Sequence, residues 1–144
     1  MNQNLPSAKS QTKSGERERI RGVITRRNLC GLANDTKWDE FIKAIRLRKG
    51  WKPSYRFKCV DGPPNEWDVE WFYHLPFPFI SVEWFDITFI QETKVHRLPQ
   101  QLDIVDHSPW IEELLASIGL DYTKGKKILR IFGYSPRDLA LFDE

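Results

Sequence analysis

The longest hydrophobic pattern in the chain covers residues 67–90, WDVEWFYHLPFPFISVEWFDITFI. Apolar and polar side chains alternate before Leu75 and again after Phe79, which is the two-residue period of a β-strand. The connection between the two alternating segments contains Pro76 and Pro78. The pattern therefore predicts a β-hairpin, with a β-bulge near residues 84–86 where the apolar phase changes.

Two segments have the spacing of an amphipathic helix. The first is predicted to begin at Thr36, which with Asp39 resembles a capping box, and to end before Gly50. The second is predicted to begin with Ser108 as its N-cap and to stop at Gly119. The apolar stripe of the first helix consists of Trp38, Phe41, Ile42 and Ile45.

Further alternating runs predict strands at residues 54–60, around Tyr122 and at 127–132, whereas residues 93–106 are predicted to be irregular. The resulting order is α-β-β-β-α-β, or the same order with one extra strand. We therefore expect an α+β fold, in which an antiparallel or mixed sheet packs on two helices.

The 144 residues suit a single domain, with a polar segment at each end. Residues 1–21 are poor in large apolar side chains, so the sequence predicts a disordered basic N-terminal tail. The α+β domain is expected to cover residues 22–134, and residues 135–144 are expected to form a C-terminal tail.

The composition argues against several classes of protein. Cys30 and Cys59, the two cysteines of the chain, are far apart and form neither a disulfide framework nor a zinc motif. The N-terminus lacks the apolar region of a signal peptide, and no apolar run is long enough to span a membrane. We therefore expect a cytoplasmic protein with no membrane span and no cofactor.

The charges are unevenly distributed along the chain. Residues 1–30 contain seven Lys and Arg against two Glu, whereas residues 61–92 contain seven acids and no Lys or Arg. Such a separation is more informative than the near-neutral total of +2.

The acids suggest a candidate site on the polar face of the predicted hairpin. If the strands pair about residues 77–78, His74 lies diagonally across from Glu83, within reach of long side chains. The candidate binding residues are Asp68, Glu70, Phe72, His74, Glu83 and Asp86. Taken singly, each is more simply explained as part of a solvated strand face, but as a unit the acidic and aromatic patch favours protein binding.

Two other functions remain open from the residues alone. His74, Glu70 and Glu83 are a possible metal-ligand set of a metal-dependent hydrolase, since imidazole and carboxylate bind divalent metals. The basic N-terminal arm suggests contact with nucleic acid phosphates, although Glu16 and Glu18 dilute its charge. The cations of this arm are Arg17, Arg19, Arg21, Arg26 and Arg27.

Four motifs with aromatic residues are spaced along the chain: NDTKW at residues 34–38, EWDVEWFYH at 66–74, VEW at 82–84 and IFGY at 131–134. They resemble a small bacterial family of proteins of unknown function, DUF6678. The resemblance covers roughly residues 26–134 and implies a single domain in a bacterial cytosol. Because the family has no established activity, the resemblance implies no catalytic residues, and residues 1–21 look like an extension.

Together these features favour a non-catalytic protein-binding module, similar to an immunity protein or a small inhibitor. Its expected partner is another protein, with a basic surface as the complement of the acidic face. Nucleic acid and membrane partners are not expected. No nucleophile or oxyanion donor accompanies the histidine and the carboxylates, so catalysis is the less favoured alternative.

Overall fold

The computed structural model describes residues 5–11, 13–95 and 101–143, and these residues form an α+β fold, as predicted. The helices are α1 (Glu16–Arg26), α2 (Asp35–Leu47) and α3 (Ser108–Ile118). The strands are β1 (Cys30–Gly31), β2 (Tyr55–Cys59), β3 (Val82–Thr88), β4 (Ile90–Val95), β5 (Gln101–Asp106), β6 (Tyr122–Lys124), β7 (Ile128–Phe132) and β8 (Tyr134–Ser135).

The central sheet has the strand order β2-β3-β7-β6, and every pairing in it is antiparallel. Two smaller antiparallel ribbons, β1–β8 and β4–β5, stand beside it. Within the described ranges, no helix is long and apolar enough to cross a membrane.

Helix α2 covers one face of the sheet with its predicted apolar stripe. Its cap differs from the prediction, because the side chain of Asn34 accepts a hydrogen bond from the Lys37 amide at 2.9 Å. Asp39, the predicted partner of Thr36, instead accepts from the amide of Ala8 at 2.7 Å. The helix therefore begins one residue earlier than predicted.

Helix α3 ends at Gly119 as predicted. Gly119 has φ 88°, a left-handed conformation that glycine adopts without strain, and its amide donates to Leu115 O at 3.0 Å. At the other end Ser108 is the first helical residue and His107 takes the cap position. The Ser108 amide is satisfied by the Asp106 carboxylate at 2.8 Å.

Aromatic rings from the helix, the sheet and the loop before β3 form the centre of the core. The Trp38 ring lies 5.2 Å from that of Phe79 and 6.0 Å from that of Phe85. Phe41 lies 5.7 Å from Trp71. These rings are buried, so they supply much of the apolar area that stabilises the fold.

The predicted hairpin at residues 67–90 is wrong. Its second half contains β3, but β3 pairs with β2 and β7, and residues 67–75 form an irregular loop. Strand β3 is a central strand, because β2 and β7 pair with its two edges and nearly all of its residues are buried. The pairing irregularity lies where Lys58 faces Trp84 and Cys59 faces Val82, so Glu83 is the extra residue.

The prediction that residues 93–106 are irregular is also wrong for residues 93–95 and 101–106, whereas residues 96–100 lie outside the described part of the chain. Residues 93–95 and 101–106 belong to the β4–β5 ribbon, in which Glu92 lies opposite Ile104 and Lys94 opposite Leu102. The mixture of apolar and charged residues concealed the strands, because little of this ribbon is buried and the alternation is weak.

The expectation of a disordered tail at residues 1–21 is corrected for the part that the structure describes. Helix α1 begins at Glu16, and Ile20 is buried against Val60 and Tyr134. Ala8 is fully buried, and its carbonyl accepts from the Phe79 amide at 2.7 Å. The limits of the domain and of both tails stay predictions.

Candidate functional site

The six predicted binding residues lie in two separate places. Four of them belong to the loop of residues 66–74, here named the acidic loop. The other two, Glu83 and Asp86, lie on β3. The predicted face that would unite all six does not exist, because the loop and β3 are not paired strands.

Glu70 holds the acidic loop together through its carboxylate. Its Oε1 accepts hydrogen bonds from the amides of Phe72, Tyr73 and His74 at 2.9, 2.7 and 2.8 Å. Burial alone would raise the pKa of Glu70, but these hydrogen bonds and the nearby His74 outweigh burial and lower it. Glu70 is therefore a charged structural residue of the loop.

Asp68 has a similar role two residues earlier in the loop. Its Oδ1 accepts from the amides of Val69 and Glu70 at 2.6 and 3.0 Å, and its Oδ2 lies 3.0 Å from Nδ1 of His74. Burial would raise the pKa of Asp68, but the two amides and His74 lower it. The predicted proximity of His74 to a carboxylate is thus found, although the carboxylate is that of Asp68.

The acidic loop is anchored to the rest of the domain through its backbone. Arg46 on α2 donates from Nε to Trp71 O at 2.7 Å and from Nη2 to Phe72 O at 2.9 Å. The buried Trp71 indole donates to Pro53 O at 2.9 Å, and the Tyr55 hydroxyl donates to Glu70 O. Because both α2 and β2 contribute anchors, the loop conformation is fixed from two sides.

Several exposed side chains of the loop are apolar or aromatic. Val69 is 71% exposed, Tyr73 59% and Trp67 40%, and Glu66 is exposed beside them. Alternation places Val69 and Tyr73 on the same face as the buried Trp71, so sequence reasoning missed these two residues as surface groups. Asp68 was an available signal, since Asp side chains often bind nearby amides in place of a strand ladder.

Phe72 is less available than predicted. It is half-buried, and the Arg46 guanidinium lies 5.4 Å from the centre of its ring. Phe72 therefore helps to fix the loop on α2, and the accessible aromatic groups are its neighbours Trp67 and Tyr73.

Glu83 is a buried ion-pair partner. Its two carboxylate oxygens accept from the Arg27 guanidinium at 2.8 and 2.9 Å, and Lys58 Nζ lies 2.7 Å from Oε1. Burial would raise the pKa of Glu83, but the hydrogen bonds from Arg27 and then Lys58 outweigh burial and lower it.

Asp86 is buried even more completely and lies between two arginines. Arg130 donates from Nε and Nη2 to its two oxygens at 2.7 and 2.9 Å, and Arg56 donates to Oδ2 at 3.0 Å. The Arg130 guanidinium also lies 3.7 Å from the ring centre of Trp84. We name the residues Arg27, Arg56, Lys58, Glu83, Asp86 and Arg130 the charged layer.

The charged layer lies on the face of the sheet away from α2, because Trp84 and Asp86 alternate with the core residues Phe85 and Ile87. The segment after β8 contacts it through backbone carbonyls. Arg130 Nη1 donates to the carbonyls of Asp138 and Ala140 at 2.9 and 2.7 Å. Glu83 and Asp86 are consequently satisfied inside the molecule and are not surface acids.

The alternative metal set of His74, Glu70 and Glu83 is not assembled. Glu70 binds loop amides, whereas Glu83 binds Arg27 and Lys58. In the part of the chain that the structure describes, no three His, Cys, Asp or Glu residues are grouped so that they could hold a metal ion. No observation therefore favours the hydrolase alternative.

Most of the predicted nucleic-acid arm is engaged in ion pairs. Arg17 lies 3.1 Å from Asp35, Arg19 is paired with Asp61, and Arg27 is paired with Glu83. Arg21 and Arg26 are exposed on α1. The cationic arm is thus substantially neutralised by acids of the domain.

Comparisons with known proteins give one relationship. No curated protein and no solved structure matches the chain. The sequence profile described as "Family of unknown function (DUF6678)" matches residues 20–138, which is more than four-fifths of the 144 residues. The match includes all four motifs that suggested the resemblance, and the chain belongs to the DUF6678 family.

Proposed function

We propose that this protein is a non-catalytic protein-binding module, similar to an immunity protein or an inhibitor, which holds a basic partner through the acidic loop. The observation that carries the proposal is the fixed backbone of residues 66–74 beneath exposed Trp67, Val69 and Tyr73. Exposed apolar groups on an ordered loop are typical of binding surfaces.

The anchoring of the loop supports a role in recognition. A flexible loop loses conformational entropy when it binds, whereas this loop is already held by Glu70, Asp68 and Arg46. Tyrosine and tryptophan are also the side chains most often found to dominate binding energies. The loop presents Tyr73 and Trp67 at little further entropic cost.

The charge of the loop supports a basic partner. Glu66, Asp68 and Glu70 lie within five positions, and the lowered pKa values of the last two keep them ionised at neutral pH. The neighbouring Arg56, whose guanidinium lies 4.7 Å from the centre of the Trp67 ring, is already bound to Asp86 of the charged layer. A cationic partner surface is therefore the complement that this loop attracts at long range.

The test uses the intact protein as bait in lysate of its source organism, followed by calorimetry with the purified partner. Tyr73→Ala and Glu66→Lys are expected to weaken binding at least about tenfold each, which corresponds to roughly 1.4 kcal/mol. Binding of the unchanged protein is expected to weaken as salt is raised, because charge attraction contributes to it.

Matched controls separate the loop from the general surface. Leu47→Ala removes an exposed apolar side chain on α2, and Glu113→Lys reverses an exposed acid on α3. Both controls should bind as the unchanged protein does. Equal binding by Tyr73→Ala, Glu66→Lys and the controls would overturn the proposal, as would a partner whose affinity does not depend on salt.

A further inference from the structure

The β4–β5 ribbon exposes apolar side chains in an unusual setting. Leu102 is 54% exposed, Ile104 63% and Val105 45%, although all three lie on a strand. Among the described residues, neither strand of the ribbon pairs with the four-stranded sheet. Two-stranded ribbons are marginally stable by themselves, so this one gains from an additional strand.

The ladder shows which backbone groups are available to a further strand. Next to the ladder, the His107 amide donates to Phe89 O at 2.7 Å, which is one of the two bonds of a hydrogen-bonded antiparallel pair, while the Phe89 amide donates to Lys127 O at 3.2 Å. Because the two pair types alternate, Leu102, Ile104 and Asp106 direct their amides and carbonyls away from β4. The outer edge of β5 contains no Pro or Lys, the residues that commonly protect an edge.

We infer that β5 pairs antiparallel with β5 of a second copy of this chain, with Ile104 on the two-fold axis. The result is a four-stranded sheet, β4-β5-β5-β4, with a symmetric interface. The inference concerns a different surface from the acidic loop and does not depend on the proposed function.

Charge and length decide the register. An axis through Asp103 would place two aspartates directly opposite one another, which is unfavourable. An axis through Val105 would pair only three residues of each strand before His107, where the chain turns into α3. With the axis at Ile104, Leu102 lies opposite the second copy's Asp106, Asp103 lies opposite its Val105, and no like charges are opposed.

The pattern on one face of the ribbon is also self-complementary. Leu102 and Ile104 share this face with Lys94 and Glu92, their cross-strand neighbours. In the proposed register Leu102 lies between Lys94 on one side and the second copy's Asp106 on the other, so a cation and an anion flank this apolar side chain. A strand pair of this length buries less than the roughly 1,200 Å² of a stable complex, so the dimer is expected to be reversible.

Cysteine cross-linking tests both the dimer and its register. In a Cys30→Ser background, Ile104→Cys should form a disulfide-linked dimer with diamide, because residues on the axis are about 5.5 Å apart. Leu102→Cys is the matched control, since the two copies of residue 102 lie about 13 Å apart along the strands. The Ile104→Cys dimer should form at least about tenfold faster.

Sedimentation equilibrium of the unmodified protein gives an independent measurement. A monomer–dimer equilibrium is expected. Ile104→Lys should weaken dimerisation at least about tenfold, because it places two cations on the axis. The thermal unfolding midpoint of this variant should change little. A monomer at all concentrations, or equal cross-linking of Ile104→Cys and Leu102→Cys, would overturn the inference. A dimer that Ile104→Lys leaves intact would place the interface elsewhere and would also overturn it.

Discussion

The acidic loop and the charged layer both contain Asp and Glu but use these acids differently. In the loop, Asp68 and Glu70 bind backbone amides and leave aromatic neighbours exposed. In the layer, Glu83 and Asp86 bind Arg and Lys side chains and are buried. The difference shows that an acid's role depends on which donors the fold brings to it, so a run of acids does not by itself define an acidic surface.

The largest expected effect in this comparison is that of Asp86→Ala. It leaves Arg130 fully buried without its carboxylate, which should lower the free energy of unfolding by about 3–5 kcal/mol. Urea unfolding followed by tryptophan fluorescence measures the loss. Glu66→Ala in the acidic loop is the control and should change stability by less than about 0.5 kcal/mol, and similar losses for both would contradict the distinction.

Glu83 should make stability depend on acid pH. Its folded-state pKa is lowered, so the unfolded chain binds more protons below about pH 4.5 and stability falls as pH decreases through that range. Glu83→Gln should be less stable at pH 7 and should have a shallower slope between pH 5 and about pH 3. Urea titrations at a series of pH values measure the slopes, and parallel slopes would exclude this role.

Glu70→Ala should have a smaller effect that is concentrated in the loop. Loss of its carboxylate leaves three amides without their acceptor, with a cost of about 1 kcal/mol, comparable to losing a helix cap. Hydrogen exchange at Phe72, Tyr73 and His74 should be accelerated, while exchange on β3 changes little. Uniform acceleration across the domain would show that the loop is not an independent unit.

The smallest effect is expected for His74→Ala. The pair of His74 with Asp68 is largely exposed, so its loss should change the free energy of unfolding by less than about 0.5 kcal/mol. Thermal unfolding with Asp68→Asn as the companion variant measures this difference. A loss as large as that of Glu83→Gln would mean that the exposed pair is coupled to the core.

The parts of the fold that sequence predicts well depend on short-range signals. The stripe of α2, the glycine that ends α3, and strands β2 and β7 follow from residues within a few positions of one another. The α+β class follows from the same elements. The alternation over residues 67–75 places the buried Trp71 and the exposed Tyr73 on one face, so it identifies this part of the core only in part.

The failures concern partners that are distant in sequence. Arg27 is 56 positions from Glu83, and Arg130 is 44 positions from Asp86, so no local pattern indicates that these acids are neutralised. Strand pairing failed for the same reason, since β3 and its neighbour β7 are separated by a helix and three strands. Within the acidic loop the alternation is present, but after the backbone bridge of Asp68 with Tyr55 the amides of residues 69, 70 and 72–74 bind the Asp68 and Glu70 carboxylates.

The β1–β8 ribbon has a consequence for the order of events during biosynthesis. Cys30 pairs with Ser135 and Gly31 with Tyr134, and the Leu32 amide donates to Gly133 O at 2.8 Å. At a translation rate of about 5–20 residues per second, β8 is made roughly 5–20 s after β1. The helices and central strands can form while synthesis continues, but β1 has no native partner until β8 has left the ribosome.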